Sequence, residues 1–457
     1  MGRREPLHGQ WSSRIAFIFA ATGAAVGLGN IWKFPYITGL NGGGAFVAVY
    51  LLFVLAIALP VMMAEVMLGR RGRRNPINAM RLLSEEETGK TRWQIVGWLG
   101  VLTGMLILSY YSVIGGWTID YALRTVSGTF AQTNAAGVRE QFAALAASPW
   151  RMLLWHTVFM LLTVLVVARG VEQGLEKALK YLMPLLFVLL LVMVGYAMTT
   201  GHFMQGLRYM FDFNISELSA DGILMAMGQA FFSLSIGMGA IMAYGAYLPE
   251  DASIGGTTLS VALMDTTVAL LTGIMLFPIV FANGLDPAHG PGLLFLTLPL
   301  AFGQMTAGTI FGALFFLLLV FAAWTSSIGL IEPAVARLVE HRQLRRSHAT
   351  WIIGGIIWLL GLISIFSFNV LRDVRPFGRS LFANLDFFTS NILLPFSGFM
   401  IAVFAGWVMC RGSSTEELEL GAGNRYSAWR LLIRFVAPVA MLLVSLHALG
   451  LLEKFLK

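Results

Sequence analysis

The sequence predicts an all-α polytopic membrane protein of about eleven spans, and three observations carry that prediction. Of the 457 residues, 57% are hydrophobic and only 12% are charged, with a mean hydropathy of +0.75. The apolar runs repeatedly exceed the roughly 20 residues that a helix needs to cross a bilayer. Finally, two of the runs are interrupted in mid-membrane by glycines and small polar residues, which a lipid-facing helix does not tolerate.

The runs lie near 12–37, 43–69, 93–126, 150–168, 178–200, 220–246, 255–283, 308–338, 350–368, 387–410 and 428–453. Span 1 contains Gly23-Ala24-Ala25-Val26-Gly27-Leu28-Gly29-Asn30-Ile31-Trp32-Lys33-Phe34-Pro35, a stretch built to break a helix. Unpaired backbone groups are too costly in hydrocarbon, so such a break must line a cavity that binds an ion or solute. Span 2 opens on Asn41-Gly42-Gly43-Gly44-Ala45-Phe46 and carries Glu65 near its far end; span 3 carries Ile107 and Tyr111. The start of span 5 is bracketed by Gly174 and Pro184. Proline removes a backbone donor and glycine loosens the turn, so that segment is weak as a helix. Span 6 is broken by Ser233-Leu234-Ser235-Ile236-Gly237-Met238-Gly239. Span 7 holds Asp265, an intramembrane acid and so a functional candidate by default, and span 8 holds Trp324-Thr325-Ser326-Ser327.

Charge sets the expected topology. Arg70, Arg71, Arg73, Arg74, Arg81, Lys90 and Arg92 lie between spans 2 and 3, whereas the 284–307 connection has neither lysine nor arginine. The positive-inside bias therefore puts the N-terminus in the cytoplasm, and an odd span count puts the C-terminus outside. The net charge of +7 and the pI near 9.6 have the same origin, since the arginines fall between apolar runs, and they do not indicate nucleic acid. Cys410, the single cysteine, excludes an intrachain disulfide and a cysteine-rich metal site. A bacterial inner membrane is the expected location. The two broken helices lie five spans apart, the pattern of an inverted repeat with its binding site at the breaks.

Four motifs carry a family resemblance: Gly27-Leu28-Gly29-Asn30 with Phe34-Pro35, Asn41 to Phe46, Gly228-Gln229-Ala230-Phe231-Phe232-Ser233-Leu234-Ser235, and Trp324 to Ser327. In this order, and over essentially the whole chain, they resemble the bacterial neurotransmitter:sodium symporters. The resemblance implies the LeuT fold in a single transporter domain, 1–457. A five-helix repeat, 11–200, is followed by its inverted counterpart, 219–411, and an additional helix, 428–453. It implies two sodium ions. The first would be bound by the Ala25 carbonyl, the Asn30 side chain, Ser233 and the substrate carboxylate. The second would use the carbonyls of Gly23, Val26 and Ala322 with the hydroxyls of Thr325 and Ser326. The plainer alternative for Thr325 and Ser326 is hydrogen bonding within the helix.

By the same resemblance, the amides around Gly27, Leu28 and Gly29 receive a carboxylate, favoured by the positive end of a half-helix. Relatives that carry amines have an aspartate where this chain has Gly27, so an amino acid is implied. Ile107, Tyr111, Phe232, Ser235, Met238, Ser326 and Leu330 would line the rest of the site, and this mostly apolar lining suits a hydrophobic side chain. Ile107 and Leu330 serve equally well as helix-packing residues. Anchoring on Gly273 puts Asp265 where relatives have a sodium-binding asparagine, whereas anchoring on Pro278 shifts the register by one. Chloride-dependent relatives hold the anion beside this position, among residues matching Tyr50, Gln229 and Ser233. Asp265 would then supply that charge itself; the alternative is an acid facing water. Glu65 would accept hydrogen bonds from the orphan amides of the broken helices.

The resemblance also implies gates. Tyr111 and Phe232 would close over the substrate, Lys33 would pair with Asp386 outside, and Trp11 with Glu340 would close the inside. His8 stands where relatives have arginine, with Arg3 or Arg4 as possible substitutes. Ordinary interfacial charges are the alternative for these groups. Gly174 and Pro184 would mark where span 5 unwinds to release the second sodium, or simply where the helix starts late. The expected function is sodium-coupled symport of hydrophobic, aliphatic and aromatic, L-amino acids by alternating access, independent of chloride. The expected partners are this small-molecule substrate and the lipid bilayer, with no obligatory protein partner. An amino-acid sensor without transport is the alternative. No nucleophile and base pair up in the candidate cavity, which argues against an enzyme.

Overall fold

The computed structural model describes residues 7, 9–285, 293–421 and 423–452, where the regular structure is helical apart from one isolated bridge between Gly43 and Phe213. His8, Arg3 and Arg4 lie outside the described residues, as does part of the 284–307 connection.

Nine described helices are long and apolar enough to cross a bilayer: Gly44–Gly72, Gln94–Val126, Pro149–Val167, Val171–Met198, Ile254–Ala282, Gly308–Arg342, Arg346–Ser367, Leu381–Val408 and Asn424–Ala448. Ahead of them the pair Arg14–Ala25 and Gly29–Leu40, bent by 56°, makes span 1. Span 6 is split into Ala220–Ser233 and Ala240–Gly245 by the irregular segment 234–239. Both breaks fall where glycine and serine interrupt the apolar pattern.

Local chemistry explains the other irregularities. Five π-helical turns, Gly29–Lys33, Val54–Ala58, Leu293–Thr297, Thr389–Leu393 and Leu432–Val436, each end two residues before a proline: Pro35, Pro60, Pro299, Pro395 and Pro438. Proline offers no N–H and clashes with the carbonyl four residues back, so the turn before it widens instead of closing an ordinary α-ladder. Val171–Glu176 and Phe404–Val408 are π turns without that cause; the former follows Gly170, whose φ is +97°.

Spans 3 and 8, the two longest at 33 and 35 residues, pack along each other and flank the broken helices. Buried charges lock this frame. Asp120 is held by Arg124 Nε at 2.8 Å, Arg151 Nε at 2.9 Å and Trp155 Nε1 at 2.7 Å, which ties span 3 to span 4. Glu332 of span 8 takes a two-pronged contact from Arg346 of span 9 and a 2.7 Å hydrogen bond from Tyr247 just beyond span 6. Removing one partner of such a pair strands a buried charge, so these contacts fix the frame around which the broken helices are placed.

Candidate functional site

The first half of span 1 stops at Ala25, and Val26 is extended with ψ 108°. The second half restarts when Asn30 N and Ile31 N donate to Gly27 O at 3.2 and 3.3 Å. In span 6 the break runs through Ser235, Gly237 and Gly239, with φ of +52°, +82° and +75°. A left-handed serine is strained, and here its hydroxyl donates to Ala24 O at 2.9 Å, which ties the two breaks together. Gly237 N donates to Glu65 Oε1 at 2.5 Å, so the fully buried glutamate caps an amide freed by the break.

A polar cluster joins spans 1, 6 and 7. Asn30 Nδ2 donates to Asp265 Oδ1 at 2.8 Å and to Ser233 Oγ at 3.0 Å. Ser233 Oγ donates to Asp265 Oδ2 at 2.5 Å, and Tyr50 OH donates to Ser233 Oγ at 3.1 Å. Asp265 is fully buried, and its carboxylate is the centre of this cluster. Nearby, Gln229 Nε2 donates to Gly29 O at 3.1 Å, while Gln229 Oε1 is buried without a partner among the described residues.

A second cluster joins spans 1 and 8 and holds no charged group. Ser326 Oγ reaches Val26 O at 2.9 Å and Gly23 O at 3.3 Å, and Thr325 Oγ1 donates to Ala322 O at 3.1 Å. A Cβ on Gly23 would lie 2.8 Å from Leu179 Cδ2, 3.2 Å from Met183 Sδ and 3.3 Å from Thr325 Cβ. Span 5 therefore walls this cluster. Carbonyl, hydroxyl and carboxylate oxygens are hard donors of the kind that replace the hydration shell of a hard cation. Ala25 ends its helix beside these groups.

Between the clusters, Leu28 N donates to Tyr111 OH at 3.3 Å. A Cβ on Gly27 would meet Ser326 Oγ at 2.7 Å and Tyr111 OH at 2.9 Å, so a side chain here would have to displace both hydroxyls. Ile107, Ser235, Met238 and Leu330 are buried, and Phe232 is half-buried above Gly29. Gly104 escaped the sequence reading: a Cβ there would lie 2.9 Å from Met238 O and 3.3 Å from Leu330 O, so its bareness lets spans 6 and 8 close on span 3. Only its place on the Tyr111 face of the same helix could have flagged it.

At the expected outer gate the arrangement differs from expectation. Among the described residues no ion pair joins Lys33 to Asp386: the ammonium lies over the Phe232 ring at 4.8 Å, and exposed Asp386 accepts from Ser390 Oγ at 3.1 Å. Burial beside an aromatic face gives the lysine a partner that needs no reach across the vestibule. Trp11 is clamped by Trp11 N to Tyr247 O at 3.0 Å and by Trp11 Nε1 to Tyr244 O at 3.1 Å. Glu340 accepts from Asn75 N at 2.5 Å and Asn78 Nδ2 at 2.7 Å. Tyr244 and Tyr247 carry no sequence signal for this clamp, because the bonds run to their carbonyls. Span 5 is wound through Gly174, which lies in the π turn, and Pro184, which lies inside Lys177–Met198.

Comparison with known proteins agrees with this geometry. Residues 8–141 and 129–454 match the model of the sodium:neurotransmitter symporter family. YhdH of Bacillus subtilis strain 168, a sodium-dependent transporter, is 38% identical over 456 residues, covering 99% of this chain and 100% of that protein. A sodium-dependent transporter of Haemophilus influenzae is 33% identical over 96% of this chain and 98% of its own length. The crystal structure of MhsT in complex with L-phenylalanine superposes with a TM-score of 0.88 at 41% identity, covering 96% of this chain and 99% of that one. The LeuT fold expected from the motifs is thus the observed fold, and the protein is a transporter and not an enzyme. The chain belongs to the sodium:neurotransmitter symporter family, and it is a multi-pass, sodium-dependent membrane transporter.

Proposed function

We propose that the protein imports hydrophobic L-amino acids, aliphatic and aromatic, together with two sodium ions, by alternating access and without chloride. The observation that carries this reading is the unwound stretch of span 1 at Gly27, which lies bare against the Ser326 and Tyr111 hydroxyls, with the Leu28 amide facing Tyr111. That stretch suits a carboxylate, while Ile107, Met238 and Leu330 suit an apolar side chain. Met238, flexible and set between glycines, can repack around guests of different size. MhsT, which binds L-phenylalanine, supports the aromatic part of the range.

In this reading Asn30, Ser233, Asp265 and the Ala25 carbonyl hold the first sodium with the substrate carboxylate, which couples the two. Gly23, Val26, Ala322, Thr325 and Ser326 hold the second. Asp265 provides the negative charge that an anion near Tyr50 and Gln229 would otherwise supply. The internal division into two inverted five-helix repeats, an inner-membrane location and a cytoplasmic N-terminus complete the proposal. Uptake of a panel of labelled amino acids into proteoliposomes tests it. Leucine and phenylalanine should accumulate only under an inward sodium gradient and equally in chloride and gluconate; sodium-independent uptake, or none for any apolar amino acid, would overturn it.

A further inference from the structure

The corner where span 10 ends and span 11 begins holds a charge pattern that transport does not use. Arg411 opens the helix Arg411–Leu418, and Arg430 and Arg434 lie one turn apart in Asn424–Ala448. Arg411 and Arg430 approach the same buried Tyr426 ring, at 5.6 and 6.0 Å from its centroid. The Arg434 guanidinium lies over Trp407 at 4.1 Å, and Trp407 Nε1 donates to Arg434 O at 2.9 Å.

Among the described residues these three guanidiniums have no carboxylate partner. The acids of the intervening helix are turned elsewhere, Glu416 to Arg71 at 3.3 Å and Glu417 to Arg70 at 2.5 Å. Arg430 donates only to neutral oxygens, Tyr426 OH at 2.7 Å and Ser414 Oγ at 3.3 Å, and Arg434 Nε is buried with no partner. Glu87 also reaches this corner, accepting from Cys410 N at 2.9 Å, but among the described residues it forms no ion pair with any of the three guanidiniums, which leaves them open to an external anion.

The surroundings identify the carrier of that anion. Trp407 sits in the last turn of span 10 and is 52% exposed, the placement of an aromatic anchor at headgroup level. From the same level an exposed apolar stripe, Leu431, Phe435, Val439 and Leu442, runs along span 11 toward the membrane centre at helical spacing. We infer that this corner binds an anionic phospholipid, its phosphate held by Arg411, Arg430 and Arg434 and its acyl chains laid along the stripe. A free phosphate would match the guanidiniums as well, and displacement by inorganic phosphate separates the two sources.

Native mass spectrometry of the detergent-purified protein titrated with phosphatidylglycerol or phosphatidylcholine tests this. Phosphatidylglycerol adducts should be retained preferentially, and Arg411→Gln, Arg430→Gln and Arg434→Gln together should weaken them, roughly fivefold for each charge removed, while phosphatidylcholine retention stays unchanged. Inorganic phosphate in large excess should not displace the lipid. A second measurement uses the native arginines: the fluorescence lost when Trp407→Phe is subtracted from wild type should be quenched by brominated phosphatidylglycerol more than by brominated phosphatidylcholine, and less so in high salt. Equal retention of the two lipids, unchanged adducts in the triple variant, displacement by phosphate, or equal quenching by both brominated lipids would each overturn the assignment.

Discussion

Two polar clusters share the broken first span, and they are built from different chemistry. One centres on a carboxylate, with Asn30 and Ser233 bonded to Asp265 at 2.8 and 2.5 Å. The other has only carbonyls and hydroxyls, with Ser326 bridging Gly23 and Val26. A formal charge attracts a cation over distance and tolerates small displacements. A set of neutral dipoles attracts it only while all of them converge. The charged cluster is also enclosed by spans 1, 2, 6 and 7, whereas the neutral one leans on span 5, which begins in a π turn. On the proposed reading, the first cluster therefore sets affinity and coupling, and the second is the one from which an ion leaves.

The largest effect should follow Asp265→Asn. Asparagine keeps the shape and one oxygen but removes the charge, a loss of about 1.5–3 kcal/mol for a hydrogen-bonded ionic contact, or roughly 10- to 100-fold in sodium affinity. An anion among Tyr50, Gln229 and Ser233 could then restore the balance, so the variant should gain a chloride response that wild type lacks. Sodium titration of substrate binding in chloride and in gluconate reads both effects. Wild-type affinity with no chloride response would end the idea that this cluster works through its charge.

The sequence made much of this comparison legible, for physical reasons that differ by residue. The break in span 1 was visible because glycines at 23, 27 and 29 and Pro35 cannot be absorbed by a lipid-facing helix. Asp265 was visible because an acid in an apolar run demands a partner, although its register needed Gly273 as an anchor. The five π turns were not legible in the prolines alone, since Pro184, Pro278 and Pro333 sit in unbroken α-helix and packing decides which turns widen. Contacts made through backbone carbonyls were hidden, since Tyr244 O and Tyr247 O could belong to any residue. The resting place of Lys33 was hidden for another reason. A lysine can reach either a carboxylate or a ring, and only the packing of Phe232 decides between them.

A smaller effect is expected in the neutral cluster. Ser326→Ala removes one hydroxyl from a set of several oxygens, a change of about 1 kcal/mol, or roughly fivefold in sodium affinity. It should produce no chloride response, because no charge is lost. Running this variant beside Asp265→Asn in the same titration separates the clusters. A chloride response in Ser326→Ala, or a loss as large as that of Asp265→Asn, would mean that the two behave as one unit.

The smallest effect on affinity, and the most selective one on kinetics, should come from Pro184→Ala. Pro184 lies inside Lys177–Met198 and leaves a carbonyl of the preceding turn without its helical donor. Leu179 and Met183, which close on Gly23, belong to that weakened turn. Alanine restores the donor and strengthens the helix, so amides near the start of span 5 should exchange with deuterium more slowly. If span 5 must loosen for an ion to leave the neutral cluster, sodium release and turnover should slow by a similar factor, while equilibrium sodium affinity at the Asp265 cluster stays near wild type. Slower exchange with unchanged turnover would separate the mobility of span 5 from transport, and would leave the wall around Gly23 with a packing role alone.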